Sequence, residues 1–211
     1  MHIPRPNLTD SDVQELIDDL NLLIKQPTAL QSPPCPNCTD NTKLVWDREK
    51  CSASCEHASY ALSEEPERYP IEEHVVPLVF ELTSMRLVHT CWSCEGHLDI
   101  DGQFWKLPQV SFYSMKPIYS QLLCNYLARL FWRKKLSYQW EVALTNFGRT
   151  WDVTYTIKCD LSRIKHPDIT LMQKDLLDMA DNLSHNIKED AVALIKDIES
   201  NRASIKVDTS L

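Results

Sequence analysis

The chain has 211 residues, 43% of them apolar, which supplies the core of one sizeable domain or of one domain with a small appended module and excludes disorder throughout. Its 22 Lys and Arg against 30 Asp and Glu leave a net charge of −8, the wrong sign for a general nucleic-acid binder, which needs a cationic excess on one surface. The three glycines, Gly96, Gly102 and Gly148, stand in neither the G-x-G-x-x-G nor the P-loop spacing, so dinucleotide and nucleotide-triphosphate enzymes of those types drop out.

The N-terminal stretch MHIPRPNLTDSDV lacks the long apolar run of a secretory signal. No segment approaches the ~18 consecutive apolar residues of a membrane helix, so a cytoplasmic protein without a membrane partner is expected. In a reducing compartment its eight cysteines read as metal ligands, reactive thiols or small buried groups rather than disulfides.

In chain order, residues 9–25 offer Thr9, Asp10 or Ser11 as a cap, followed by Val13, Leu16, Ile17, Leu20 and Leu23 at helical spacing. Pro27, Pro33, Pro34 and Pro36 then forbid continuation and mark a linker. A second helix is predicted to start around Pro77 and end near Leu87. Strand-like segments at 87–92 and 107–114 flank a turn-rich stretch with Gly96 and Gly102. Residues 117–135 open with Pro and set Ile118, Leu122, Tyr126, Leu127 and Leu130 on one face, a core helix. Tyr138, Trp140, Val142 and Leu144 alternate with polar residues, as do Trp151, Val153, Tyr155 and Ile157 across a turn with Asn146 and Gly148, which predicts a hairpin with a heavy apolar face. Residues 168–200 place Ile169, Met172, Leu176, Met179, Leu183 and Ile187 at three- and four-residue steps, one long helix or two shorter ones for the core or for a second copy in a homodimer.

The expected class is α+β: a small, mostly antiparallel sheet packed with helices, plus a zinc ribbon-like module and a long C-terminal helical segment. The expected divisions are a helix and Pro-rich linker over 1–33, the zinc module over 34–70, the α+β core over 71–165 and the helical segment over 166–211.

Cys35 and Cys38 form a C-x2-C pair, and Cys51 and Cys55 a C-x3-C pair, with twelve residues between. Zinc takes four tetrahedral thiolate or imidazole ligands, and two such knuckles joined by a loop of this length supply them. Residues 43–47 can form the small strand a ribbon needs, and His57 can replace Cys55. Hydrophilic neighbours such as Asp40, Asn41, Asp47 and Glu49 argue against simple burial of these cysteines. Iron–sulfur is the lesser option for four thiolates. A closed tetrathiolate folds a module and does no chemistry.

Function is therefore sought in the run HTCWSCEGH, residues 89–97. Cys91, Cys94 and His97, with His89, Cys124 or water as the fourth ligand, fit a second metal, with Glu95 as base if water is bound. Alternatively Cys94 is a thiolate nucleophile activated by His97 or His89. A Cys91–Cys94 redox pair is the weakest of the three, because EGHLDIDG does not look helical and such pairs use a helix N-terminus. The bland alternative is a strand end and tight turn in which Gly96 takes a positive φ, Cys91 and Trp92 pack inward and the histidines are solvated.

Thr90, Ser93, Cys94, Gly96 and His97, read as T-x-x-S-C-x-G-H, resemble the serine–cysteine–glycine signature of the wybutosine-synthesis methyltransferase family of tRNA-modifying proteins, with His97 where that family has Arg. The WSCEGH segment followed by PQVSFYS is similar, and more closely so, to one in a group of uncharacterised bacterial and phage proteins. The resemblance spans residues 85–114 and implies that Ser93, Cys94, Gly96 and His97 line a pocket.

Arg129, Arg133, Lys134 and Lys135 lie among Phe131, Trp132, Tyr138 and Trp140 and could bind an RNA strand, but cations at a helix C-terminus and core aromatics explain them better. Glu64, Glu65, Glu67, Glu72 and Glu73 read as a solvated acidic patch. The expected function is a zinc-binding protein whose structural zinc supports a binding or regulatory α+β domain. The alternative is a small enzyme with a thiol or second-metal site in residues 91–97, acting in RNA modification.

Overall fold

The computed structural model describes residues 9–29, 62–63, 65, 68–145, 153–162 and 164–208. Five helices and six strands form among them, in the order α1 (Asp10–Lys25), α2 (Val76–Ser84), β1 (Val88–Cys94), β2 (His97–Leu98), β3 (Phe104–Lys106), β4 (Gln109–Ser114), α3 (Pro117–Trp132), β5 (Trp140–Thr145), β6 (Thr154–Cys159), α4 (Ile169–Ala180) and α5 (Leu183–Asp208). This is an α+β chain with a small antiparallel sheet. Cys35, Cys38, Cys51 and Cys55, the expected zinc module, lie outside the described residues, as do Asn146, Gly148 and Trp151 of the predicted hairpin.

Local signals explain the helix starts. The Thr9 hydroxyl accepts from Asp12 N at 3.2 Å while the Asp12 carboxylate accepts from Thr9 N at 2.8 Å, a complete capping box. Proline occupies the first turns of α2 and α3, where its missing N–H costs nothing. Helix α2 stops at Ser84, earlier than Leu87, because Arg86 takes the left-handed conformation (φ 57) and redirects the chain into β1.

Antiparallel strands run in the order β1-β4-β6-β5. The hairpin pairs Trp140 with Cys159 and Val142 with Ile157. Its apolar face is covered only at one end: Trp140 and Ile157 are buried, whereas Leu144 is 70% exposed and Val153 50% exposed. The covered end is fastened by Asp175 of α4, whose buried carboxylate accepts from Ser137 N, Tyr138 N and Trp140 Nε1 at 2.7, 2.9 and 2.9 Å. Elsewhere in the sheet, buried Ser111 and Thr156 satisfy each other's hydroxyls at 2.8 Å, and Thr156 also meets Thr145 at 2.9 Å.

The C-terminal apolar ladder is split into α4 and α5 at Asn182, which has φ 57. Met172, Leu176, Met179, Leu183 and Ile187 join Leu20 and Leu23 of α1 and the buried faces of α2 and α3 in one core, so these ladder positions are filled within the chain itself. Buried Glu81 of α2 accepts from Ser184 N at 2.9 Å and so caps the start of α5. No helix among the described residues is long and apolar enough to cross a membrane.

Candidate metal centre

The chain leaves the sheet at the end of β1, turns at Gly96 and enters the short β2–β3 hairpin. Within β1 the register shifts between Thr90 and Trp92, making Cys91 the extra residue of a bulge. Directly opposed residues in a sheet share a face. Thr90 and Ser93 therefore lie with the core residues Phe112 and Val110, while Trp92 and Cys94 pair with Ser111 and Gln109 on the other face.

On that face, at the mouth of the turn, the donor atoms of Glu72, Cys94 and His97 all lie within 4.8 Å of one another. Glu72 comes from the segment leading into α2. Its Oε1 meets His97 Nε2 at 2.6 Å, and its Oε2 accepts from Glu95 N at 2.7 Å. A mirror contact lies beside it, with His74 Nδ1 meeting Glu95 Oε2 at 2.8 Å and His74 N donating to the same oxygen at 2.9 Å. Glu72-x-His74 and Glu95-x-His97 thus clasp reciprocally, each glutamate holding the other segment's histidine. From α4, Gln173 Nε2 donates to Glu95 O at 3.4 Å.

Gly96 makes the turn feasible. Its φ is +91, and a Cβ there would lie 2.6 Å from Pro108 Cγ. Around the centre, the His97 and Trp105 rings are 5.9 Å apart, and Lys106 Nζ stands 4.0 Å from the centroid of the Trp92 ring.

Cys94 is buried, while the Glu72 and His97 side chains remain 34% and 36% exposed, so solvent reaches the centre. Burial is the first cause pushing the Cys94 thiol above its usual range; the Gly96 N–H opposes it, the Glu72 charge adds to it, and the Lys106 charge opposes it. A buried thiol beside a carboxylate is a poor unaided nucleophile, and the Nε2 of His97 is already engaged by Glu72.

Of the expected second metal set, Cys94 and His97 come together, whereas Cys91 and His89 are exposed on β1 and are not in the donor cluster among the described residues. Gly96 has the positive φ that the turn reading required, but Cys91 and Trp92 are exposed and it is Cys94 that is buried. Cys94 ends a strand rather than opening a helix, and both Cys91 and Cys94 are free thiols. Glu95 is held by His74 rather than left open as a base, and Ser93 is half-buried on the core face.

Two partners do not stand out locally in the sequence: Glu72 sits in the acidic run and His74 beside it, and the one signal for them is that Glu72-x-His74 repeats the spacing of Glu95-x-His97. In the basic cluster Arg129 pairs with Asp190 at 2.5 Å and Trp140 is buried as a core aromatic, whereas Trp132, also expected in the core, is 80% exposed.

No protein-family model, curated protein or solved structure matches this chain.

Proposed function

We propose that this chain is a zinc-binding protein in which a three-ligand centre at Glu72, Cys94 and His97 is open to an exogenous ligand, alongside a structural zinc held by Cys35, Cys38, Cys51 and Cys55 in a ribbon-like module. The observation that carries the first site is the convergence of a carboxylate, a thiol and an imidazole within 4.8 Å. Tetrahedral zinc with bonds of about 2.0–2.3 Å sets its donors roughly 3.3–3.6 Å apart, so side-chain rotations of less than about 1 Å would seat the ion. A mixed sulfur, nitrogen and oxygen donor set favours zinc over magnesium or calcium. Three protein ligands leave the fourth position for water or a ligand, where zinc acts as a Lewis acid. The His74–Glu95 clasp supports the ligands from behind, as outer-shell carboxylate–histidine pairs do.

Elemental analysis of the purified chain tests this, repeated for Cys38→Ser, Cys94→Ser and Glu72→Gln, with cobalt substitution to read the thiolate charge-transfer band. The expected result is a pair of metal ions, one lost with Cys38→Ser and the other with Cys94→Ser, and a weakened second ion in Glu72→Gln. A metal content unaffected by Cys94→Ser overturns the three-ligand centre; a metal-free wild type overturns both sites.

A further inference from the structure

We propose that the open position of this centre receives a small anionic ligand with a flat apolar body, an aromatic carboxylate or aromatic phosphate, whose anion meets the metal and Lys106 while its body packs on Trp105 and Trp92. The inference rests on the metal reading above and names the ligand class of that site.

The argument begins with Lys106. It lies directly across the β2–β3 pair from His97, and its ammonium stands over Trp92 at 4.0 Å. Its only contact of this kind is that ring: among the described residues it has no carboxylate partner, although Glu72 and Glu95 stand at the same centre. Those carboxylates are taken by His97 and His74 at 2.6 and 2.8 Å. Lys106 nevertheless stands at the centre, because it is paired with His97 across β2–β3 and its ammonium lies over Trp92, which shares the Cys94 face of β1. A zinc ion would be balanced by the Glu72 carboxylate and the Cys94 thiolate, and Glu95 is engaged by His74, so Lys106 is the cation beside the open position that no carboxylate contacts among the described residues. That arrangement suits an anion, which a metal and an ammonium can hold together.

The second part is the exposed aromatic surface. Trp105 is 73% exposed although its ring approaches that of His97, and Trp92 is 37% exposed under Lys106. Leu98, which follows His97 in β2, is 44% exposed. Apolar side chains gathered around a polar centre favour a ligand with an apolar body over a bare ion, and tryptophan faces favour a planar one. A nucleic-acid strand fits less well, since a single lysine in a chain of net charge −8 gives too little phosphate neutralisation.

The test uses the full chain loaded with cobalt, the uptake confirmed by elemental analysis and by the Cys94-dependent charge-transfer band. Benzoate, acetate and inorganic phosphate are titrated separately, with the cobalt visible spectrum and tryptophan fluorescence as readouts. Benzoate is expected to change both signals saturably and to bind more tightly than acetate. Lys106→Met should weaken benzoate and acetate alike by roughly tenfold, Lys106→Arg should restore most of that, and Trp105→Ala should weaken benzoate by roughly three- to tenfold while leaving acetate unchanged. Cobalt uptake with no spectral response to benzoate, or an unchanged titration in Lys106→Met, overturns the anionic-ligand inference and leaves the metal centre standing. Failure to take up cobalt at Cys94 overturns the metal reading and this inference with it.

Discussion

Replacing Gly96 with alanine should damage both stability and metal affinity, and Gly102→Ala provides the control because the two glycines differ in one respect. Both have positive φ, +91 and +74, so both alanines incur a backbone cost of about 1–2 kcal/mol, partly offset by a stiffer unfolded chain. At Gly102 nothing lies within 4 Å of the added Cβ, and the cost ends there. At Gly96 the Cβ would stand 2.6 and 2.7 Å from ring carbons of Pro108 and 3.0 Å from its nitrogen. Ordinary carbon contacts lie at about 3.5–4.0 Å, and a buried proline ring has no rotamer through which to retreat. The turn or the entry to β4 must therefore shift by about 1 Å, which adds the roughly 1–3 kcal/mol typical of overpacking. The expected losses are about 2–4 kcal/mol for Gly96→Ala and about 1 kcal/mol for Gly102→Ala, read by urea denaturation of metal-free protein. Because Gly96 separates Cys94 from His97, the same shift should lower zinc affinity on the order of ten- to hundredfold in a chelator competition, whereas Gly102→Ala should leave it unchanged. Equal stability of the two variants, with unchanged affinity in Gly96→Ala, would refute the claim that this close approach holds the ligands in place.

Asp175→Asn should cost about 1–3 kcal/mol by denaturation, because an amide can keep the bonds on only one oxygen and turns its own NH2 toward at least one of the three N–H donors, of which that of Trp140 is buried. A loss under about 1 kcal/mol would mean that the carboxylate contributes little to joining α4 to β5. Thiol alkylation followed by peptide mass spectrometry should modify exposed Cys124 ahead of buried Cys94, with Cys159 last among the described cysteines. Burial, reinforced by the charges of Asp175, Asp160 and Glu141, pushes the Cys159 thiol from 9.0 up to about 12. The folded chain then keeps its proton where the unfolded chain has lost it, so stability is present in full below pH 9.0 and declines toward about pH 12. The slope from this group is about 1.4 kcal/mol per pH unit. Cys159→Ala should flatten the alkaline slope; an unchanged slope would assign it to other groups.

The helices were legible because periodicity and punctuation agree in them: Thr9 with Asp12, Pro77 and Pro117 each stand where an apolar repeat begins. The β2–β3 pair was not, since strands of two and three residues carry no alternation to detect. At the centre, Cys94 and His97 could be picked out because they are close in sequence, whereas Glu72 lies 25 positions from His97 and reaches it only because β1 returns the chain past the segment before α2. The local spacing groups a different companion with them. It joined Cys91 to Cys94 as C-x2-C, but the bulge at Cys91 breaks the alternation on which such a grouping depends and leaves Cys91 exposed. That difference of partners would change the chemistry of a bound metal. Closed structural zinc sites are built from cysteine and histidine alone, while a carboxylate among three protein ligands is a mark of sites that keep a position open. With Glu72 rather than Cys91 and His89 beside Cys94 and His97, the proposed centre would have a donor set of the second kind, distinct from the closed, tetrathiolate role expected of Cys35, Cys38, Cys51 and Cys55.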